Sequence, residues 1–273
     1  MKPSLGGVLV GFTLLVSSWG SVAWPASLPQ FGSQPLEHYL EQAETLTRQG
    51  NLEAAIPFYQ QALQIQPEAV ELHFELALLF TQMGRLAEAV AQYQKVLSLD
   101  ANHGDALYNL GLIRYAVGEV SLGMTHFQRA IQLQPENSDA YVWLGKGYYL
   151  QERFPQAIQF WRQAIAIDPQ AVYAYTSLGD LYSQRREFEQ AINYYRQALA
   201  QPDQAGIPVG AHALAHHSLG LALQEQGRLQ DALREYQESL RLAPDFEPAL
   251  LNLLQLQERL NEEERPSPLA ENP

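Results

Sequence analysis

Three columns of side chains recur along this 273-residue chain at a fixed spacing. The first column holds small residues, at Ala43, Ala77, Gly111, Gly145, Gly179 and Gly220. The second column is also small, at Ala55, Ala89, Gly123, Ala157, Ala191 and Ala232. The third column is aromatic, at Tyr59, Tyr93, Phe127, Trp161, Tyr195 and Tyr236. Each column steps by 34 residues four times and then by 41, which indicates six stacked units that present a surface rather than enclose an active site.

The fourth unit shows why each repeat should be a pair of helices. One face of a first helix is formed by residues at helical spacing, namely Tyr141, Leu144, Gly145 and Tyr148. One face of a second helix is formed in the same way by Ala157, Ile158, Trp161, Ala164 and Ile165. Small residues at Gly145 and Ala157 let the two helices approach closely, and larger rings fill the space beside the contact. The sequence therefore predicts an all-α solenoid of antiparallel helix pairs.

This series of small, small, aromatic, alanine and proline positions resembles the tetratricopeptide repeat over residues 36–246. Prolines end four units, at Pro67, Pro135, Pro169 and Pro244. Glycines stand in four turns, at Gly50, Gly84, Gly118 and Gly227. Four positions depart from the pattern: Ala101 replaces a terminal proline, Glu152 and Arg186 replace turn glycines, and Pro57 lies within a second helix, which it should kink or shorten. The resemblance implies a right-handed superhelix that binds protein segments without catalysis.

The spacing divides the chain into repeats and flanking segments. The six repeats are assigned to residues 36–69, 70–103, 104–137, 138–171, 172–212 and 213–246. Residues 201–212 contain the insertion that lengthens one step, and their glycines and prolines predict a loop that is either a tolerated surface insertion or a hinge or extra contact site. Residues 247–261 are expected to form a capping helix that covers the sixth repeat with Leu250, Leu253, Leu254 and Leu256. Residues 262–273 are charged and contain prolines, which predicts disorder.

The N-terminal residues resemble a targeting segment. Lys2 precedes an uncharged, mostly apolar run over residues 5–16, and Ser21, Val22 and Ala23 offer small side chains for cleavage. We therefore expect residues 1–23 to be a signal peptide and residues 24–35 a linker, so that the mature protein lies in an exported compartment such as a periplasm, a lumen or the exterior. The alternative is an uncleaved segment that anchors the protein to a membrane.

Composition restricts the possible partners and chemistry. The formal charge of −13 repels nucleic acid and anionic lipid, so neither is an expected partner, and a membrane is expected only if the N-terminal segment is retained. The absence of cysteine excludes disulfides, iron–sulfur clusters and thiolate zinc sites. The sequence contains no phosphate-binding glycine loop, nucleophile elbow or His-Glu-x-x-His motif, so we expect no enzyme activity, no cofactor and no metal.

A second stripe on each first helix lies one residue, about 100°, round from the core face. In tetratricopeptide proteins this stripe lines a concave groove, so the resemblance implies that partners bind there. The candidate groove residues in this chain are Phe74, Asp105, Tyr108, Asn109, Tyr115, Asp139, Lys146, Tyr149, Tyr173 and Asp180. Tyrosine is a good interface anchor because it is rigid and has a polar tip, so the expected partner is a protein or peptide with apolar anchors and neutral or basic flanks. The alternative for any one ring is that it packs against the next repeat.

Three histidines near the insertion raise the question of a metal site. His212 and His216 are four residues apart and are followed by His217. However, His216 occupies a core position of its unit and no carboxylate is obviously placed beside it, so we expect no metal there. The function expected from the sequence is a noncatalytic binding scaffold that supports assembly of a complex. The alternative is a membrane-anchored structural subunit of an envelope, secretion or photosynthetic assembly complex.

Overall fold

The computed structural model describes residues 35–203 and 210–263, and these residues form helices joined by short turns. They belong to two compact units that divide after Pro135. The first unit contains three helix pairs, α1 (Leu36–Arg48) with α2 (Leu52–Ile65), α3 (Val70–Gln82) with α4 (Leu86–Leu99), and α5 (Gly104–Ala116) with α6 (Val120–Leu133). The expected signal peptide and most of the expected linker lie outside the described residues, as do residues 204–209 of the insertion and residues 264–273 of the expected tail.

The second unit contains three more pairs and one further helix. These are α7 (Ser138–Leu150) with α8 (Phe154–Ile167), α9 (Val172–Gln184) with α10 (Phe188–Leu199), α11 (Ala211–Glu225) with α12 (Leu229–Leu242), and α13 (Glu247–Glu263). The fold class is therefore all-α and built from helix pairs, as the column spacing predicted. Each pair has its core between the two helices, where the columns meet.

Close approach between paired helices explains the small and aromatic columns together. A Cβ atom added at Gly145 would lie 2.5 Å from the indole nitrogen of Trp161, and one added at Gly179 would lie 2.5 Å from the Tyr195 ring. Trp161 is fully buried, and its indole N–H donates to the carbonyl of Val142 at 3.1 Å. The glycine thus makes room for a buried ring that is itself held by a hydrogen bond.

The two turns without glycine adopt the same backbone conformation as the glycine turns. Glu152 has a φ of 59° and Arg186 a φ of 61°, whereas the turn glycines include Gly84 at 72°. Side chains other than glycine are strained in this left-handed region. These two departures from the repeat pattern therefore raise the conformational strain of the turn without changing its geometry.

Replacing Glu152 with glycine should raise the free energy of unfolding by about 0.5–1 kcal/mol, because the left-handed strain at this turn is removed. Urea denaturation of the wild type and of E152G measures the difference. Glu152 is exposed at the turn. An E152A variant is the control, since alanine keeps the strain, and equal stability of E152G and E152A would contradict this explanation.

Pro57 does not shorten its helix, so the expected shortening was wrong. α2 contains 14 residues, the same length as α4 and α6, and Pro57 lies inside it. An interior proline removes a backbone donor and crowds the carbonyl of the preceding turn, but the packing of buried Ala55, Ile56 and Tyr59 against the core stabilises the helix around it.

The described ends of the insertion are held together. An oxygen of the Asp203 side chain accepts from the backbone N–H of His212 at 3.0 Å, which satisfies one free donor at the start of α11. Ala211 and Ala215 of α11 then pack into a buried cluster with Tyr175 and Ala198. The extra residues therefore leave α11 packed within its unit.

The last helix differs from the expected cap in which leucines it buries. Leu256 is buried and Leu253 is partly buried against the core of α11 and α12, as a cap requires. Leu250 and Leu254, which we expected to cover the sixth repeat, are instead exposed. The amphipathic pattern gave the correct helix but not the orientation of all its leucines.

Candidate functional site

Helices α7 and α9 bring a lysine, two aromatic rings and two acids together in the second unit. The Nζ atom of Lys146 lies 4.5 Å from the centre of the Trp143 ring and 5.5 Å from that of Tyr173. Asp139, about two helical turns before Lys146 on α7, and Asp180 of α9 both act electrostatically on its ammonium group. We call these five residues the Lys146 cluster.

The charges of the Lys146 cluster are only partly compensated. Burial lowers the pKa of Lys146, and attraction to Asp180 and Asp139 offsets part of that shift. Burial raises the pKa of Asp139, repulsion by Asp168 adds to this effect, and Lys146 opposes it. Folding therefore places these groups where their charged forms are less favourable than in water.

Asp180 accepts hydrogen bonds from two residues outside the cluster. The hydroxyl of Tyr195 donates to Oδ1 of Asp180 at 2.8 Å. Burial raises the pKa of Asp180, while hydrogen bonds from Tyr195 and Ser218 and the charge of Lys146 lower it. The residue nevertheless retains substantial solvent exposure, so surrounding protein atoms desolvate the carboxylate without sealing it from water. A carboxylate held in this way can still meet a ligand.

Tyr149 and Tyr173 are half-buried and have different surroundings. The hydroxyl of Tyr149 donates to the side-chain oxygen of Gln184 at 2.8 Å, and its ring centre lies 5.9 Å from that of Trp161. Tyr149 thus bridges two first helices, which is the packing role that the sequence left open. Tyr173 instead faces Lys146, and burial raises its pKa, as do Asp203 and Asp139.

The candidate residues of the first unit lie on α3 and α5 and form no comparable cluster with charges at its centre. Phe74 lies 4.7 Å from the His103 ring and 5.9 Å from that of Tyr93, and Tyr108 lies 5.9 Å from that of Phe127. These three distances join ring centres. Phe74 and Tyr108 therefore pack on neighbouring rings while remaining partly exposed.

The other candidates of the first unit are hydrogen-bonded within the protein or partly buried in it. The side-chain amide of Asn109 donates to the backbone carbonyl of Asp105 at 2.8 Å, and Gln134 donates to the Asp105 carboxylate at 3.1 Å. Burial raises the pKa of Tyr115 to about 12. Because of its bond to Asp105, Asn109 has one amide N–H engaged within its own helix.

The stripe that contains the candidates is not exposed along its whole length. Val142 is 3% exposed and Thr176 is 7% exposed, so neither offers much surface to a ligand. His217 lies 2.8 Å from the side-chain nitrogen of Asn252 on α13, and burial lowers its pKa to about 4. The last helix thus covers the stripe at His217.

Profiles of the tetratricopeptide repeat family match residues 46–110, 174–208 and 213–246, and a TPR repeat profile matches residues 145–185. The chain is a tetratricopeptide repeat (TPR) protein. A comparison with curated protein sequences found no match.

Solved TPR structures agree with the fold of this TPR chain. PilF from Pseudomonas aeruginosa is 23% identical, with a TM-score of 0.63 over 83% of this chain and 97% of that one. PilW, a widely conserved type IV pilus biogenesis factor, is 16% identical, with a TM-score of 0.67 over 81% and 100%. MamA is 28% identical, with a TM-score of 0.54 over 58% and 92%. At these identities, PilF and PilW are similar to this TPR protein in fold alone.

Sequence reasoning missed three residues that complete the site in this TPR protein. Trp143 lies three residues before Lys146, a spacing that places two side chains together on a helix and could have identified it. Gln184, the acceptor for Tyr149, and Ser218, which bonds Asp180, come from other helices. No local pattern points to these two, because their positions depend on how neighbouring helices pack.

One of the histidines near the insertion has a carboxylate beside it, contrary to expectation. Nδ1 of His216 lies 2.7 Å from Oε2 of Glu235. This pair joins α11 to α12 and resembles the contact of His73 with Gln92 in an earlier repeat, also at 2.7 Å. Within residues 35–203 and 210–263, no three His, Cys, Asp or Glu side chains are grouped closely enough to hold a metal ion.

In the part of the chain that the structure describes, no helix combines the length and the apolar character needed to cross a membrane. The N-terminal run lies outside that part.

The Lys146 cluster should cost stability at neutral pH. Because folding raises the pKa of Asp180, its ionised form costs stability at pH values above its folded-state pKa. Because folding lowers the pKa of Lys146, its charged form costs stability at pH values below its folded-state pKa. Both penalties act at pH 7, so the free energy of unfolding of the double variant K146M/D180N should be higher than that of the wild type by up to about 1 kcal/mol. Solvent screening limits this gain. Thermal melts at pH 7 measure this difference.

The same comparison at pH 3 provides the control. Below the ordinary Asp value of 3.8, Asp180 is protonated in both folded and unfolded protein, so its penalty disappears and the advantage of K146M/D180N should shrink. A lower melting temperature for the double variant than for the wild type at pH 7 would show that the cluster stabilises the fold.

Proposed function

We propose that this TPR protein is a noncatalytic scaffold that binds a protein or peptide segment across the exposed faces of its first helices. The observation that carries the proposal is the Lys146 cluster, which combines rings and incompletely compensated charges on a surface that water still reaches. Groups that cost stability in the unbound protein are typical of binding sites, where a ligand supplies the missing interactions.

The charges of the site suggest the chemistry of the partner. Asp139 and Asp180 outnumber Lys146 in the cluster, and Asp105 adds an acid in the first unit. With a formal charge of −13 over the whole chain, the protein attracts segments with basic flanks, tolerates neutral ones and repels nucleic acid. Tyr173 and Trp143 offer ring faces that suit apolar or cationic side chains of such a segment.

Selection from a random 15-residue peptide library tests this proposal. Peptides retained by the wild-type protein should be rich in aromatic or aliphatic residues with lysine or arginine beside them, and salt should weaken their binding. They should bind K146M/D180N at least about 10-fold more weakly. Selection of acidic peptides, or peptides that bind the double variant equally well, would overturn the proposal for this face.

We propose further that the protein acts in an exported compartment, supported by the apolar run and the small residues at Ser21, Val22 and Ala23. There it would support the assembly of a complex, a role consistent with that of PilW as a pilus biogenesis factor. N-terminal sequencing distinguishes a mature chain that begins at Trp24 from one that retains residues 1–23 as an anchor.

A further inference from the structure

Helix α13 continues the repeat register as the first helix of a seventh pair. Leu254 follows Gly220 by 34 residues, so it occupies the next position of the first column. Leu256 is buried, and Leu253 and Leu260 pack against the cluster formed by α11 and α12. Asn252 reaches His217 of α11. The inward side of α13 is therefore packed in the manner of a repeat.

The outward side of α13 carries an exposed apolar strip. In the preceding pair, a Cβ atom at Gly220 would lie 2.6 Å from the ring of Tyr236, because the second helix covers this position. In α13 the equivalent Leu254 is 53% exposed, and Leu250 and Leu251 are 42% and 50% exposed. We call these three leucines the α13 strip.

The sequence does not continue the columns that mark a second helix. The next positions of the second and third columns, 34 residues after Ala232 and Tyr236, hold Pro266 and Ala270. A proline replaces the small residue and an alanine replaces the aromatic ring. The residues that let a second helix cover the first in the other pairs are thus missing from this register.

Acidic residues surround the α13 strip. Glu247 lies three residues before Leu250, and Glu258 lies four residues after Leu254, so both share its face of the helix. Both are exposed, as is Glu262 beyond them. A second copy of this chain would bring the same acids together, and each copy carries a formal charge of −13. Like charges disfavour that arrangement, whereas basic flanks on another protein favour it.

We propose that an amphipathic helix of another protein, with an apolar stripe flanked by lysine or arginine, docks on the α13 strip in the place of a second helix. This contact is separate from the first-helix face proposed above. Because Leu254 stands where the other pairs have glycine or alanine, the docking helix should present a small aliphatic residue there rather than an aromatic ring. The acids beside the strip require lysine or arginine on the flanks of the docking helix.

Two synthetic 18-residue helical peptides with the same leucine–alanine stripe test this proposal, one flanked by lysines and the other by glutamates. Fluorescence anisotropy measures their binding to the full chain. The lysine-flanked peptide should bind at least about 10-fold more tightly than the other. The L250S/L254S variant should weaken its binding about 10-fold or more, because two apolar contacts are lost. Both leucines are already about half exposed, so the variant should keep the wild-type melting temperature.

Leu150→Ser is the matched control, because Leu150 is 45% exposed on α7 and lies outside the strip. It should leave binding of the lysine-flanked peptide unchanged. Binding that is insensitive to L250S/L254S, or equal for both peptides, would overturn the proposal. A wild-type dimer in light scattering that L250S/L254S dissociates would also overturn it, since the occupant would then be a second copy.

Discussion

Replacing both Tyr149 and Tyr173 with alanine should weaken binding of the selected peptides by about 2 kcal/mol or more for each ring that acts as an anchor, or about 30-fold. Tyr173 faces the Lys146 ammonium group at 5.5 Å, and Tyr149 adjoins the same surface. Isothermal titration of the wild type and Y149A/Y173A with one peptide measures the loss. The nearby carboxylates should mainly affect the association rate and its salt dependence.

Loss of packing must be separated from loss of binding, because Tyr149 also contacts Trp161 and Gln184. Tyr148→Ala is the matched control. Tyr148 is a half-buried neighbour on α7 whose ring stacks on Phe160 at 5.2 Å between ring centres. It should lower stability while binding remains within about twofold of the wild type. Equal weakening by Y148A and Y149A/Y173A would mean that destabilisation alone explains the effect.

Replacing Gly145 with leucine should lower the free energy of unfolding by about 3 kcal/mol or more. Its first added carbon alone would lie 2.5 Å from the Trp161 indole nitrogen, and Trp161 cannot move away without losing its hydrogen bond to Val142. Three further carbon atoms enlarge the clash. Urea denaturation measures the change, and near-ultraviolet circular dichroism should show an altered tryptophan environment.

Gly104→Ala is the control for the loss of a helical glycine. A Cβ atom at Gly104 would also meet an atom at 2.5 Å, but that atom belongs to the flexible side chain of Gln134. The side chain can move, so G104A should change stability by less than about 0.5 kcal/mol. A loss below about 1 kcal/mol for G145L would show that the helices can separate, and close helix approach would then no longer explain the small residues of the first column.

The column spacing predicted the helix pairs because each column marks one position of the contact between paired helices. Gly145 must face Trp161 in a close pair, and the same reasoning applies to Gly179 and Tyr195. Local departures were harder to interpret. Pro57 fits within a full-length helix because buried neighbours hold it, and Glu152 accepts a left-handed backbone that its type disfavours. Packing outweighed local preference in both cases.

The candidate site was less accessible to sequence reasoning. A stripe defined by helical angle includes Val142 and Thr176, but neighbouring side chains bury both. The bonds to Asp180 come partly from Ser218, beyond the lengthened step between repeats, where the fixed spacing does not apply. The amphipathic pattern of α13 could not show that Leu254 is exposed, because exposure depends on which neighbouring helices pack against that face.

Site-specific photo-crosslinking in the native cells can establish whether partners bind to the first-helix face. A benzophenone side chain is placed at Tyr173 on α9 and, in a second variant, at Gln163, which is exposed on α8. We expect crosslinks from position 173 to one defined protein segment with basic or neutral flanks, and none from position 163. Crosslinks from position 163 alone would contradict binding at the first-helix face and place the binding surface on the second helices.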